Sequence, residues 1–495
     1  MHGSDNGQKK AYQAIQRGLA DSLGTATRDT DSPFYRQWRK DMQQVGVKEF
    51  DGPLGPDAPL EGAEQKVRGY QSLLTLMKSG DPEAYSPQFL QDLGNDIYRA
   101  EKESKGDIWD VNQAYGGKDA RWFANDPLDS TLGLMSHHPG AATTFLDPGP
   151  EGSNGKLSYL LHERDWNGIV PVYEDWHGNV AVGVTEGHPV EDIDARHGFG
   201  RALEAAATGH EPLSEGESGG PPAPHSPAEA RVMQQTILGL DKDAGGEDVP
   251  EGIRKNLGRA LAGYVPDTYA ILAEQGGRYD SPGGGGIWTD GDEAGINTGK
   301  GSLMRVMRGV SEDGQSYALL YDANRLYAAE QLADAPHQIA PGEEVWKNRG
   351  SDAAAAMGAL NTIGADVVYD ERDDKKAWAA DTQRYGYHGA GSLVTGLPVV
   401  GDVAQRTIDA VGYEWQKDVE ATADARALEK ESEKYEAGVT GTQDLIDQFA
   451  KERGIPIDPE NKNDPLFNEY RAMLREAKQS YGTSREDGAT HLGWH

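Results

Sequence analysis

The densest group of side chains that could bind a metal begins at residue 188. His188, Asp192, Asp194 and His197 place two imidazoles and two carboxylates close together in the sequence. Such ligands can hold zinc or manganese and activate water for hydrolysis. Their spacing matches no metalloenzyme pattern with an understood mechanism, and a solvated loop is the interpretation that the sequence favours. We predict no catalytic residue, name these four only as the candidates that a hydrolase would use, and predict no bound metal and no cofactor.

Two adjacent histidines form a second candidate. His137 and His138 are followed by a proline. Neighbouring side chains point to different faces of a helix, and proline suits the first position of a new helix. The spacing of Leu128, Leu132 and Met135 supplies an apolar face that explains this segment without a metal. The pattern therefore indicates a junction between two helices.

Two glycine-containing runs resemble ligand-binding loops, and each departs from the pattern. Asp290 to Gly295 begins like a calcium-binding EF-hand loop, but Ala294 and Gly301 occupy positions that need oxygen ligands. Gly295 to Ser302 resembles a phosphate-binding loop, but it is one residue short and Lys300 is followed by glycine. We predict that the second run is a flexible connection to a helix capped by its last residue.

The charge balance is strongly acidic. There are 81 Asp and Glu against 48 Lys and Arg, which gives a formal net charge of -33 over 495 residues. Because a protein that binds phosphate backbones needs a basic surface, we predict no nucleic-acid partner. The chain has no cysteine, which excludes disulfides, Cys-ligated zinc and thiol catalysis. No stretch approaches about 18 consecutive apolar residues, so we predict no stable membrane span.

Stretches rich in proline and glycine divide the chain into five predicted parts. These are a polar N-terminal arm and linker (1–62), a helical domain with a β-hairpin (63–210), a flexible linker (211–226), a second helical domain (227–395), and a helical hairpin with C-terminal helices (396–495). The linker is assigned from its content of Glu, Ser, Gly and Pro.

Between these breaks the periodicity is that of helices, so the predicted fold class is mainly α, with multi-helix bundle-like domains. Ser86 precedes a proline as an N-cap, and Ser226 to Glu229 is a capping box. Other helices are predicted at 252–264, 302–310, 316–332, 352–362, 402–435, 442–453 and 465–480. Residues 169–184 instead form two apolar, β-branched runs around Gly178-Asn179, which predicts one small β-hairpin.

An uncharged run of small residues at 389–404 leads into one of these helices. Gly401 can supply a tight turn, and Asp402 is a good N-cap. Apolar residues then recur every fourth position on one helix face as far as Val419. We predict a helical hairpin with these structural or binding residues: Gly396, Pro398, Gly401, Asp402 and Trp415.

The sequence Leu397-Pro398-Val399-Val400-Gly401-Asp402 resembles the Pro-x-x-Gly-Asp module that precedes the toxic tip of many bacterial polymorphic toxins. The runs 126–146, 159–161 and 199–209 are similar to a poorly characterised family of large helical proteins of high-GC Gram-positive bacteria. Members of that family often look like substrates or companions of the type VII secretion system. The resemblance implies a secreted or cell-surface protein, cytoplasmic before export, whose partners are other proteins of a secretion or toxin system.

Three functions remain open. The first is a non-enzymatic helical scaffold or delivery protein of a secreted toxin-like system, which accounts for the acidic composition and the lack of catalytic patterns. The second is a membrane-active protein that inserts residues 393–411, although glycine and proline interrupt this segment. The third is a hydrolase that uses the group from His188 to His197. The sequence favours the first and leaves the oligomeric state open.

Overall fold

The computed structural model describes residues 3–52, 65–105, 108–109, 125–166, 172–174, 180–182, 188–190, 194–213, 224–279, 286–338, 343–369, 431–458, 460 and 463–493. Helices dominate this part of the chain, which confirms the predicted mainly α fold class. The chain forms two compact units, Met1–Pro212 and Leu213–His495, and the boundary between them falls inside the predicted linker. The predicted hairpin residues Gly396, Pro398, Gly401, Asp402 and Trp415 lie outside the described residues.

Unit 1 is built from helices and short strands. Its described helices are α1 (Gly3–Ala26), α2 (Pro33–Val45), α3 (Gly69–Met77), α4 (Pro87–Ser104), α5 (Pro127–Met135), α6 (Pro139–Leu146), α7 (Lys156–Ser158) and α8 (His197–Thr208). A π-helical turn, Tyr159–Glu163, follows α7 directly. Its strands are β1 (Glu49–Gly52), β2 (Gln65–Arg68), β3 (Val172–Glu174), β4 (Val180–Val182) and β5 (His188–Val190).

The predicted β-hairpin is present in unit 1. β3 and β4 pair in antiparallel fashion, with Val172 opposite Val182. β5, which the sequence did not indicate, pairs with the other edge of β3, so the sheet order is β4-β3-β5. A separate antiparallel pair joins β1 to β2. Strands of three or four residues are too short to show a clear alternation of apolar and polar side chains, which is why these additions were not predicted.

Local capping explains where the helices of unit 1 begin. The Ser86 side chain accepts a hydrogen bond from the backbone N–H of Phe89, as predicted for the start of α4. Ser32 caps α2 in the same way, with a proline at the first position. The structure thus adds two helices, α1 and α2, to the segment predicted only as a polar arm. Side-chain capping satisfies N–H groups that the first helical turn leaves without a partner.

The histidine pair lies at a helix junction, as its sequence indicated. α5 ends at Met135 and α6 begins at Pro139, with His138 in the N-cap position. α6 and α8 pack together, and the Thr143 hydroxyl of α6 donates to the backbone oxygen of Ala206 in α8 at 3.0 Å. The core of unit 1 therefore includes this pair of helices, and α5 packs against α8 beside them.

Unit 2 contains longer helices. They are α9 (Pro227–Leu240), α10 (Glu251–Gly263), α11 (Val265–Leu272), α12 (Lys300–Val310), α13 (Gly314–Ala333), α14 (Val345–Tyr369), α15 (Glu431–Glu452) and α16 (Pro465–His491). The capping box predicted at Ser226 and Glu229 is present at the start of α9. The two-stranded antiparallel pair β6 (Trp288–Asp290) and β7 (Glu293–Gly295) precedes α12.

The run predicted as a flexible connection, Gly295 to Ser302, joins β7 to α12, since β7 ends at Gly295 and α12 begins at Lys300. Gly291 has a φ of 61° and lies in the turn between β6 and β7. The prediction that Ser302 caps the next helix was wrong, because α12 begins at Lys300 and Gly299 is its N-cap residue.

Packing against α14 explains why α16 extends beyond the predicted end at residue 480. A Cβ atom on Gly488 would lie 2.8 Å from the Met304 side chain and 3.2 Å from that of Thr362. The Ser484 hydroxyl donates to the backbone oxygen of Ala355 at 2.7 Å. These tertiary contacts hold a segment of low helix propensity in a helix. Within the described ranges, no helix is both long and apolar enough to cross a membrane.

Candidate functional site

The structure places the predicted His/carboxylate candidates on three different local elements. His188 is the first residue of β5, Asp194 lies in an exposed turn, and His197 is the exposed first residue of α8. Asp192 lies outside the described residues. Among the residues that the structure does describe, no three His, Asp or Glu side chains are grouped so that they could hold a metal ion.

The strongest concentration of buried charge in unit 1 surrounds Arg164. Its Nε and Nη2 atoms donate to the two carboxylate oxygens of Glu101 at 3.0 and 2.8 Å. Its Nη1 and Nη2 atoms donate to Asp126 at 2.8 Å each. The Arg164 and Glu101 side chains are only 4% and 1% exposed. One guanidinium therefore forms two bidentate pairs, one with the buried Glu101 and one with Asp126, whose side chain is 15% exposed; bidentate geometry gives strong, directional hydrogen bonds.

Two further donors complete the environment of Glu101. The Trp109 indole N–H donates to one carboxylate oxygen at 2.7 Å, and the Tyr159 hydroxyl donates to the other at 2.9 Å. The π-helical turn brings Tyr159 and Arg164 to this carboxylate, since the N–H of Arg164 bonds to the carbonyl oxygen of Tyr159. Burial and the adjacent Glu101 carboxylate raise the pKa of the Tyr159 hydroxyl well above its ordinary value. This hydroxyl therefore stays protonated and acts as a donor.

Asp129 links the charged centre to α8. Its carboxylate accepts hydrogen bonds from the backbone N–H groups of Gly198 at 3.0 Å and Phe199 at 2.7 Å. The N-cap residue of α8, Arg196, has a φ of 65° and makes no side-chain cap. A carboxylate from α5 thus caps a helix that begins about 70 residues later in the chain.

The electrostatics of Asp129 reflect competing effects. Burial and the nearby Asp126 carboxylate raise the pKa of Asp129 above its usual range, while the two backbone N–H groups and Arg164 act in the opposite direction. A raised carboxyl pKa is a common feature of general acids. Here, however, both carboxylate oxygens accept N–H groups of a helix end, so the geometry favours a role in holding α5 and α8 together.

Unit 2 contains a comparable buried carboxylate on α11. Asp267 is 3% exposed, and its carboxylate accepts from the Tyr279 hydroxyl at 2.5 Å, the Trp288 indole at 2.7 Å and the N–H of Ile296 at 3.1 Å. A Cβ atom on Gly295 would lie 2.2 Å from this carboxylate. The glycine that seemed to begin a phosphate-binding loop is thus needed so that the chain can approach Asp267.

Burial raises the pKa of Asp267 to about 6, against the lowering effect of the Tyr279 and Trp288 donors. Since the folded state holds this proton more tightly than the unfolded state, its contribution to stability is greatest below about pH 4 and is lost as the pH rises through about 6. At about 1.4 kcal/mol for each pKa unit, the loss of stability is about 3 kcal/mol.

We expect the difference in unfolding free energy between wild type and Asp267→Asn to shrink by up to about 3 kcal/mol from pH 4 to pH 7. Urea unfolding of both proteins from pH 4 to pH 7 measures this difference in stability. A difference that does not change with pH would contradict the prediction.

A surface groove lies between α15 and α16 of unit 2. It encloses about 290 Å³, and its floor includes Ile446, Ala477 and Tyr481, all of which are almost completely buried. Arg475 and Lys478 line the same groove. The charged groups of Arg475 and Lys478 border an open space that a ligand can enter. In this they differ from the buried carboxylates of Glu101 and Asp267.

Sequence reasoning did not find the residues of the charged centre. Arg164, which organises the site, lies between two acidic residues, Glu163 and Asp165, in a chain where acidic residues are common. A signal was present, since Arg164 and Trp166 lie within a few residues after the apolar run Tyr159-Leu160-Leu161. The guanidinium of Arg164 indeed lies 4.2 Å from the Trp166 ring centre. Its carboxylate partners cannot be recognised in a chain with 81 acidic residues.

No family model matches the sequence, and no curated protein or solved structure matches it significantly.

Proposed function

We propose that this chain is a non-enzymatic helical scaffold or delivery protein of a secreted, type VII secretion-associated toxin-like system. Its partners are then other proteins of that system, and it is cytoplasmic before export and secreted or at the cell surface afterwards. The sequence resemblance motivates this proposal, and the surface of α1 is the observation that carries the scaffold role.

The side chains in the first part of α1 are exposed to solvent, whereas a helix of a globular protein normally buries one face. Residues 10–19 are all exposed, and Tyr12, Ile15 and Leu19 are 69%, 59% and 54% exposed. Their spacing of three and four residues places them in one apolar stripe. Because exposed apolar surface of this kind commonly marks an interaction site, such a stripe favours a role in packing against a partner protein.

The buried carboxylates support the same conclusion. Glu101, Asp126 and Asp129 accept hydrogen bonds from Arg164, from neighbouring side chains or from helix ends. Asp267 likewise accepts three donors. A catalytic acid or base needs to reach a proton of the substrate, and these groups are arranged instead to join segments of the fold.

An export assay tests the proposal. A reporter enzyme fused to the full chain is produced in a high-GC Gram-positive host, with its type VII system intact or inactivated. We expect at least a tenfold decrease of reporter activity in the medium when the system is inactivated. Equal release from both strains, or retention of the reporter inside both, would overturn the assigned route.

The α1 stripe is tested in the same assay. Replacing Ile15 and Leu19 with glutamate is expected to reduce export about tenfold without changing the melting temperature, because exposed substitutions seldom alter stability by more than about 0.5 kcal/mol. Gln13→Glu, which adds one negative charge outside the stripe, serves as the matched control and should be exported normally. Normal export of the double variant would remove the stripe from the proposed role.

The two other functions have distinct signatures. A membrane-active protein would release the contents of liposomes at low pH, and Trp415→Ala would abolish the release. A metal-dependent hydrolase would contain about one zinc or manganese per chain, and His197→Ala would remove it. We expect neither result, and either one would replace the scaffold proposal.

A further inference from the structure

The groove between α15 and α16 combines an apolar interior with a basic edge. Ile446, Ala477 and Tyr481 form its floor, and Val439 and Leu474 contribute apolar walls. The Tyr481 hydroxyl accepts a hydrogen bond from the side chain of Asn361 in α14 at 3.0 Å, and this bond holds the Tyr481 ring in position. A Cβ atom on Gly438 would lie 1.9 Å from this hydroxyl. The two helices thus approach closely beside the groove, and the groove itself stays open.

The basic edge is formed by Arg475 and Lys478, which are exposed and one turn apart on α16. Within the described part of the chain, neither forms an ion pair. Asp447 accepts a hydrogen bond from the Tyr470 hydroxyl, and Glu476, between the two cations in the sequence, lies 3.9 Å from Lys347. In a chain with a net charge of -33, two such cations beside one groove form a local site of positive potential.

We propose that this groove binds an anionic amphiphile, a single short apolar chain that ends in a carboxylate or a similar oxyanion. The apolar chain lies against Val439, Leu474 and the floor. The anionic head lies at Arg475 and Lys478, whose side chains supply charge-assisted hydrogen bonds to oxyanions.

The size of the groove indicates a small ligand. A groove of about 290 Å³ lies at the lower end of the volumes of ligand pockets, about 300–1,000 Å³, and therefore suits a small ligand. The lining residues span two turns of each helix, or about 10 Å. A partner helix is itself about 10 Å in diameter and needs more room. Octanoate has the right size and charge to serve as a probe.

Calorimetric titration of octanoate into the full chain tests the proposal. We expect saturable binding to one site, with a dissociation constant on the order of 0.1–1 mM for a ligand of this size. Octanamide, which has the same length and no charge, is expected to bind at least tenfold more weakly. Absence of saturable binding, or equal binding of both probes, would overturn the proposal.

Variants identify the site. Arg475→Gln combined with Lys478→Gln should weaken octanoate binding at least tenfold and leave octanamide binding unchanged. Arg471→Gln is the matched control, because this arginine is one turn earlier on α16, lies over the Phe467 ring and does not line the groove. Val439→Trp should fill the groove and weaken both probes. Unchanged octanoate binding in the double variant and in Val439→Trp would place the site elsewhere.

An acidic amphipathic helical peptide provides the competing outcome. If that peptide binds while octanoate does not, the groove is a protein-docking site and the proposal fails. The inference goes beyond the proposed delivery role and does not depend on it, since a failure of octanoate binding leaves the export assay unaffected.

Discussion

Arg164→Met is expected to lower the free energy of unfolding of unit 1 by about 3–5 kcal/mol, because it leaves the buried carboxylates of Glu101 and Asp126 without their cation. Methionine fills much of the same volume, so the loss reports charge rather than a cavity. Thermal melts measure the change, and faster hydrogen exchange of α4 and α5 locates it in unit 1.

A neighbouring ion pair provides the control. Lys102 and Glu163 are adjacent in sequence to Glu101 and Arg164, and their charged atoms lie 2.7 Å apart, but their side chains are 43% and 52% exposed. Lys102→Ala should therefore cost less than about 1 kcal/mol, as is usual for pairs in contact with water. If Arg164→Met and Lys102→Ala lowered the unfolding free energy equally, burial of the ion pairs of Arg164 would not be the cause of the larger loss expected for Arg164→Met.

Gly198→Ala is expected to destabilise unit 1 by about 3 kcal/mol or more, at the upper end of what overpacking costs. The new Cβ atom would lie 1.8 Å from the backbone oxygen of Asp129. Since no rotamer change can move a backbone atom, α8 must shift away from α5. The two hydrogen bonds from the start of α8 to Asp129 would then be broken. Melting temperature and hydrogen exchange of α8 measure the effect.

Gly140→Ala separates this steric effect from the general effect of replacing a glycine. Gly140 lies in α6, and no atom lies within 4 Å of the position that its Cβ would occupy. Alanine has the higher helix propensity by about 1 kcal/mol, so this variant should be as stable as wild type or slightly more stable. A comparable loss in both variants would rule out the close contact with Asp129 as the cause.

The local features of this protein could be read directly from its sequence. Ser86 and Ser226 begin helices as predicted, because an N-cap needs only the cap residue and the first helical turn. The hairpin at residues 169–184 was recognised for a similar reason, since its two paired strands are close together in the sequence. These interactions connect neighbours in the chain, so residue types and their spacing are sufficient to predict them.

Helix ends were predicted less well where packing overrides local preference. The helix predicted at 352–362 extends from Val345 to Tyr369 in the structure. α16 likewise continues to His491 through two glycines and several polar residues. α14 and α16 pack along each other, and this contact stabilises turns that would be marginal in an isolated helix.

The sequence alone determined the mainly α fold class, the acidic character, and the helix starts that are marked by a cap residue and a proline, such as those at Ser86 and Ser226, because composition and short-range patterns carry that information. Only the tertiary structure decided which carboxylates Arg164 pairs with, which helix Asp129 caps, and where α15 and α16 leave a groove open. Glu101 and Arg164 are 63 residues apart, and many other acidic residues could have been the partner. Contacts of this kind depend on how helices pack, which no local pattern of residues specifies.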